Sequence, residues 1–306
     1  MKLVTYRATV EDEARLGVIY NDLIVDAEAL GEAYGQDIPD TMLGLIDCGR
    51  SGVAVLSELM DDIDDTPPIG TSVPLSNAIL CAPIPRPRKN IWGIGLNYTE
   101  HVAESARALD TSSELPQKPV LFTKPPTAVI ADGDSILHNS KMTQQLDWEV
   151  ELAVIMGSGG KHIAKEKALS HVFGYSVIID VSARDNRRAG QWIFSKGQDS
   201  FAPFGPCIVT ADEVPDPHNL DLWLTKNGVE KQRSNTQFML FDIPSLIADI
   251  STGMTMEAGD IIATGTPAGV GAGLDPQEWM WPGDRIVACV EGIGTLHHPI
   301  VDATPE

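Results

Sequence analysis

The sequence predicts an α+β chain that is mainly β: a small β-rich unit followed by a larger body of mixed, mainly antiparallel strands. Three observations carry this. Short β-prone runs separated by turn residues recur along most of the chain, only two helical stretches interrupt them after Arg88, and a proline-rich segment divides the chain early. The pattern excludes a doubly wound nucleotide-binding fold, in which strands and long helices alternate.

The elements follow in order. "KLVTYRA" and "RLGVIYNDLIVDA" are β-prone, and "YND" lies where a hairpin turn belongs. "SGVAVLSELMDDI" reads as a helix. From Thr66 to Arg88, "TPPIGTSVPLSNAILCAPIPRPR" is rich in proline and has no helical period, so it predicts an extended connection. The boundary falls within 66–85 and divides the chain into 1–80 and 81–306. Beyond it lie "PVLFTKP", "DWEVELAVIM", "VFGYSVIIDVSA", "FGPCIVTA", "LDLWLTKNG", "GDIIATGTP" and "GDRIVACVEGIGTLHHPIV" as strands. The two helices are "TEHVAESAR" and "DIPSLIADIST", the second with Asp242 as N-cap and Pro244 in its first turn.

A net charge of -21 over 306 residues excludes the basic patches that nucleic acid and anionic membranes select. The start lacks a charged segment followed by an apolar one, and no apolar run approaches the roughly 18 residues of a membrane span, so the expectation is a cytoplasmic protein. Cys48, Cys81, Cys207 and Cys289 are far apart and form no C-x-x-C pair, which leaves buried free thiols rather than a zinc ribbon or redox motif.

The stretch "LDWEVELAVIMG" places acid where a strand should place core. Alternation puts Asp147, Glu149 and Glu151 on one face and Trp148, Val150 and Leu152 on the other. Carboxylates at i and i+2 project about 7 Å apart, close enough to converge on one cation. Asp180, at the end of an apolar strand, is the third candidate ligand. All-oxygen ligation favours Mg²⁺ or Mn²⁺ over zinc. A solvent-facing acidic edge and salt-bridged carboxylates are the competing readings.

Other groups gain meaning from this company. His101 and Glu104, three apart on a short helix, share a face and make a candidate general base oriented by a carboxylate. Arg184, Gln191 and Lys196 follow Asp180, and Arg184, Arg187, Arg188 and Lys196 form a cationic cluster unusual in so acidic a chain. Such cations neutralise a bound carboxylate, stabilise an oxyanion, or simply pair and cap. "EAGDIIATGTPAGVGAG" is a strand followed by a glycine-rich loop with Thr264 and Thr266. It is neither a P-loop nor a sound dinucleotide fingerprint, and its backbone N–H groups suit a small carboxylate ligand.

Taken together, "GLNYTEHVAE", "PVLFTKPPTAV", "LDWEVELAV", "IIDVSARD", "GQWIFSKGQDSFAPFGP", "NGVEKQRSNT" and "IIATGTPAGVG" resemble the fumarylacetoacetate hydrolase (FAH) family, in order from about Lys89 to Val301. The N-terminal unit resembles that of members similar to 2-hydroxyhepta-2,4-diene-1,7-dioate isomerase. The resemblance implies an FAH-type mixed β-sandwich roll, a homodimer, and Mg²⁺ or Mn²⁺ held by Glu149, Glu151 and Asp180. It implies a lid carrying His101 and Glu104, with Lys196 near the developing charge and Lys124, Arg184, Gln191 and Thr266 around the substrate. Ile179 and Gln198 depart from the common family pattern without removing a ligand.

The expected activity is metal-dependent hydrolysis of a carbon–carbon bond in a 2,4-dioxo acid of the acylpyruvate type. The cation would stabilise the enolate left at C3, His101 would activate water against C4, and Lys196 would stabilise the oxyanion. The same enolate arises by decarboxylation of oxaloacetate or by isomerisation of a 2-hydroxy-diene-dioate, which are the alternatives. A non-catalytic 2-oxo acid binding protein is a third, although capture alone needs no water-activating pair.

Overall fold

A computed structural model describes residues 1–64, 66–108 and 114–304. At the N-terminus β1 (Lys2–Arg7), β2 (Arg15–Tyr20) and β3 (Leu23–Asp26) form an antiparallel meander. The β2–β3 turn passes through Asn21 at φ 54°, a left-handed conformation that asparagine tolerates, where the sequence places its hairpin. Asp26 then starts α1 (Ala27–Tyr34), accepting from the Ala29 N–H at 2.8 Å while also binding Arg15 and the Tyr6 hydroxyl. α2 (Met42–Asp47) precedes α3 (Gly49–Asp61), which covers the expected helix. Neither α1 nor α2 is signalled in the sequence. Each is two turns or fewer, and each contains a glycine, at 31 and 44, which lowers helix propensity. The proline-rich connection is extended and supplies β4 (Ser72–Pro74) on β3 and β5 (Ile79–Cys81) on β1.

The remaining elements are β6 (Ile91–Gly95), α4 (Thr99–Ala108), β7 (Val120–Lys124), β8 (Val129–Ile130), β9 (Ile136–His138), β10 (Leu146–Asp147) and β11 (Val150–Met156). They continue with β12 (Val172–Ile179), β13 (Ser182–Ala183), α5 (Ile193–Lys196), β14 (Ala202–Thr210), β15 (Asp221–Lys226) and β16 (Val229–Asn235). The chain closes with α6 (Ile243–Gly253), β17 (Ile261–Ala263), β18 (Arg285–Val290) and β19 (Gly294–Asp302). Asp242 caps α6 as expected, accepting from the Ser245 N–H at 2.9 Å. Among the described residues no helix is long and apolar enough to cross a membrane.

One sheet runs β4-β3-β2-β1-β14-β12-β11-β17-β6-β7, with β5 also on β1 and β8 on β14. A second runs β16-β15-β18-β19-β9, and β10 pairs with β13. The pairs β14–β8, β17–β6 and β19–β9 are parallel and the rest antiparallel, so the fold is mainly β and mixed. The N-terminal strands join the large sheet directly, because β1 pairs with β14 through Lys2↔Val209 and Leu3↔Ile208.

β11 is an interior strand of the large sheet and is buried along its whole length. Val150, Leu152 and Val154 face the core shared with Leu222 and Leu224 of β15 and Ile286 and Ala288 of β18. Ala153 and Ile155 face the other core, with Leu16, Val25, Leu45 and Leu56 of the N-terminal unit. Packing on both faces fixes the register, since a slip of one residue would exchange the two sets. It also fixes the face to which Glu151 belongs. The start of β11, the end of β12, and the ends of β17 and β6 meet at one margin of the sheet. There the chain leaves regular pairing and presents side chains inward.

Candidate active site

Three carboxylates converge at this margin. Val150 pairs with Ile179, which sets Glu149 beside Asp180, and the Asp180 N–H donates to the Glu149 carbonyl at 2.8 Å. Glu149, Glu151 and Asp180 each offer an oxygen within 4.8 Å of the others, and all three are buried. A solvent-facing acidic edge is therefore excluded. Cations surround the cluster: Lys196 Nζ lies 2.8 Å from Glu149 and 2.6 Å from Asp180, and Arg184 lies 2.6 Å from Glu149 and 2.8 Å from Asp147. Lys124 Nζ stands 2.6 Å from Asp180 Oδ1, but its three protons go to the carbonyls of Val181, Lys196 and Phe201. Its pairing with Asp180 is therefore electrostatic, at an angle too poor for a hydrogen bond, and Asp180 Oδ1 accepts none.

The electrostatics are tense. Burial pushes Glu151 well above the usual carboxylate range, and the charges of Asp180 and Glu149 push it further. Burial also raises Asp180, against Lys124 and Lys196. Burial acts on Glu149 in the same direction, but Lys196, Arg184 and His101 reverse it, so this carboxyl lies below its ordinary value.

Above the carboxylates sits α4. His101 Nδ1 is 3.0 Å from Glu104 Oε2, both side chains are buried, and Ser105 Oγ lies 3.5 Å from His101 Nε2. The other Glu104 oxygen accepts from the Gly269 N–H at 2.9 Å. The glycine-rich loop thus binds carboxylates, but they are the protein's own. Gly265 N–H donates to Glu151 at 2.8 Å, and Gly271 and Ala272 N–H donate to Asp147 at 2.6 and 3.0 Å. This corrects the expectation of a ligand carboxylate on those N–H groups: internal acids saturate them first.

The sequence signature of the fumarylacetoacetate (FAA) hydrolase C-terminal domain matches residues 90–301. The chain belongs to this family. It is 43% identical over 227 residues to oxaloacetate tautomerase YisK of Bacillus subtilis (strain 168), covering 74% of each chain. It is 34% identical over 306 residues to mitochondrial oxaloacetate tautomerase fahd2 of Xenopus laevis, covering 98% of this chain and 90% of the relative. Two solved structures share the fold across almost the whole of both chains. Fumarylacetoacetate hydrolase from the psychrophile Exiguobacterium antarcticum matches with a TM-score of 0.80 and 36% identity, covering 99% of each chain. Maleylpyruvate hydrolase from Sphingobium sp. SYK-6, in complex with manganese (II) ion and pyruvate, matches with a TM-score of 0.77 and 31% identity, also covering 99% of each.

For an FAA hydrolase family member the donor set fits a hard divalent cation. Glu151 Oε1 and Asp180 Oδ1 are buried and accept no hydrogen bond, and an ion among them would relieve the mutual repulsion of three desolvated carboxylates. Of the residues expected at the site, His101, Glu149, Arg184, Lys196 and Thr266 line one cavity of about 30 Å³. Lys124 is behind Asp180, away from the cavity, and Gln191 is an exposed turn residue that does not line it. Thr266 Oγ1 donates to the Val150 carbonyl and accepts from Gln232 Nε2.

Several participants carry no site signal in the sequence. Gln232 reaches in from β16 and also accepts from the Val150 N–H at 3.0 Å. It sits among charged residues in a polar strand. Asp147 holds Arg184 against the glycine loop, although alternation alone assigns it only a face. Trp192 lines the cavity from a loop with no periodicity, beside Arg187 of the expected cationic cluster.

Proposed function

We propose that the protein is a divalent-metal-dependent enzyme that forms and reprotonates the enolate of a small 2-oxo acid, and that its reaction is the keto–enol interconversion of oxaloacetate. One observation carries the reading: a buried carboxylate triad, with Lys196 bound to two of its members, lies at a cavity that is also lined by a carboxylate-oriented histidine. The tautomerase names of the two relatives above support the choice of reaction. Mg²⁺ or Mn²⁺ held by Glu149, Glu151 and Asp180 would supply Lewis acidity toward the substrate's carboxylate and C2 oxygen.

The chain's own residues do the rest. Glu104 fixes the His101 ring by its 3.0 Å contact at Nδ1, which leaves Nε2 to exchange a proton with the substrate. His101 takes the C3 proton as the C–H pair becomes the C2=C3 double bond, and the proton returns to the C2 oxygen. Lys196 places its ammonium where that oxygen gains charge. Burial of His101 and Glu104 keeps bulk water from exchanging the proton.

Hydrolysis of an acylpyruvate is the second reading, and the water-competent His101–Glu104 pair favours it. There His101 deprotonates water, hydroxide adds at C4, the C3–C4 pair stays on C3, and C3 is protonated to give pyruvate. One assay separates the two: decay of enol-oxaloacetate absorbance and release of pyruvate from acetylpyruvate and from oxaloacetate, each with Mg²⁺, Mn²⁺ or chelator. Faster enol decay that the chelator abolishes is expected. Glu149→Ala and Asp180→Ala should each lower it by more than about 100-fold while the fold is retained. Metal-independent rates, or full activity in either variant, would reject the proposal.

A further inference from the structure

Three cations line the cavity: Arg184, Arg187 and Lys196. Two are committed. Arg184 pairs with Asp147 and Glu149, and Lys196 with Glu149 and Asp180. Arg187 differs, because among the described residues no carboxylate lies within ion-pair distance of it. Its guanidinium instead rests 4.8 Å from the centroid of the Trp192 ring.

That platform is fixed. Trp192 packs on Phe122 with centroids 5.5 Å apart, and a side chain at Gly95 would stand 2.5 Å from the Trp192 ring. Half-buried and close to Arg184, Arg187 is pulled below its ordinary value first by burial and then by that neighbouring charge. A braced, partly desolvated cation beside a second cation is an unfavourable arrangement until an anion arrives. A planar guanidinium answers a carboxylate with two parallel hydrogen bonds. The end of a 2-oxo acid that carries its carboxylate and C2 oxygen is accounted for by the triad and Lys196, so the anion left for Arg187 is a second one.

We infer that Arg187, propped on Trp192, binds a second carboxylate at the far end of the substrate and makes the enzyme selective for 2-oxo dicarboxylates over 2-oxo monocarboxylates. The inference rests on the reading above for which end of the substrate points where.

The test compares wild type, Arg187→Gln and Arg187→Lys, loaded with Mn²⁺, on oxaloacetate and on its 4-methyl monoester, which keeps the 2-oxo acid end and neutralises the far carboxylate. Arg187→Gln should raise KM for oxaloacetate by about 10- to 100-fold, the loss expected for a charged hydrogen-bonded pair. It should leave the monoester within about two-fold. Arg187→Lys should keep part of the discrimination. Equal losses on both substrates, or none on oxaloacetate, would overturn the inference. If wild type turns over neither compound, the tautomerase reading fails separately. Calorimetric binding of the same two compounds to the Mn²⁺-loaded protein then decides: a preference for oxaloacetate that Arg187→Gln abolishes supports the inference, and an unchanged preference overturns it.

Discussion

Gly273→Ala tests the His101–Glu104 pair without altering any ionisable group. A Cβ at Gly273 would lie 2.0 Å from Glu104 Cδ and 2.2 Å from its Cγ and Oε1, against an ordinary contact of 3.4–4 Å. Glu104 must retreat by more than an ångström. That motion breaks its 3.0 Å contact with His101 and its 2.9 Å hydrogen bond from Gly269. Losing a charge-assisted hydrogen bond costs about 1.5–3 kcal/mol, and misplacing a catalytic group by about 1 Å costs about 100-fold. We therefore expect kcat to fall by about 10- to 100-fold, with overpacking lowering stability by about 1–3 kcal/mol. Affinity for Mn²⁺, read by calorimetry, should be unchanged, because none of the triad contacts Gly273. Gly253→Ala is the control: nothing lies within 4 Å of its would-be Cβ at the end of α6. It should be neutral in activity. If Gly273→Ala keeps kcat, or loses Mn²⁺ affinity in proportion to kcat, then Glu104 does not act by orienting His101.

Other outcomes follow from buried charge. Lys124→Met removes one of the two cations that stand 2.6 Å from Asp180 and should destabilise the fold by about 3–5 kcal/mol, seen as a lower thermal midpoint; an unchanged midpoint would show that Lys196 alone sustains Asp180. Burial raises Asp26, but the Arg15 fork, the Ala29 N–H and the Tyr6 hydroxyl outweigh it, so its folded value is depressed. Its stabilisation is present above the unfolded value of about 3.9 and is lost as pH falls through the folded value. Asp26→Asn should flatten that acid limb in denaturant titrations at pH 2–5, and an identical limb in both proteins would assign the acid sensitivity elsewhere. Burial pushes the Cys207 thiol up to about 11, whereas Cys48 is exposed. Ellman's reagent should consume Cys48 quickly and Cys207 only on unfolding, so rapid labelling of Cys207 in the native protein would contradict its burial.

The sequence made the apolar alternation of β11 legible because that strand is buried on both faces and its even and odd residues serve two different cores. It could not show the break between β10 and β11 at Trp148–Glu149, which lets Asp147 turn to the glycine loop while Glu149 turns to Asp180. β16 was illegible for the opposite reason. Among the described residues it pairs only with β15, its exposed side chains include Glu230 and Arg233, Lys231 is engaged by Glu278, and its one fully buried residue is Gln232. The cationic cluster stood out by composition. Which member faces the cavity depends on the turns after Asp180, where local propensity carries no direction: Arg184 and Arg187 face inward, while Arg188 lies exposed on Phe194.

The glycine-rich loop explains how the parts of the site keep their mutual geometry. Its N–H groups hold Glu151 of the triad through Gly265, Glu104 of α4 through Gly269, and Asp147, the anchor of Arg184, through Gly271 and Ala272. A side chain at the glycines would collide with the surroundings of the loop: a Cβ at Gly271 would lie 2.7 Å from Asp147 Oδ1, and one at Gly269 would lie 2.1 Å from the Lys231 carbonyl. Gly265 and Gly269 also sit at φ 100°, which residues with a Cβ rarely adopt. One backbone segment thus references the carboxylate triad, the His101–Glu104 pair and the cationic wall to a common frame. Displacement of the loop should therefore disturb all three together, whereas a change in α4 alone should spare the triad.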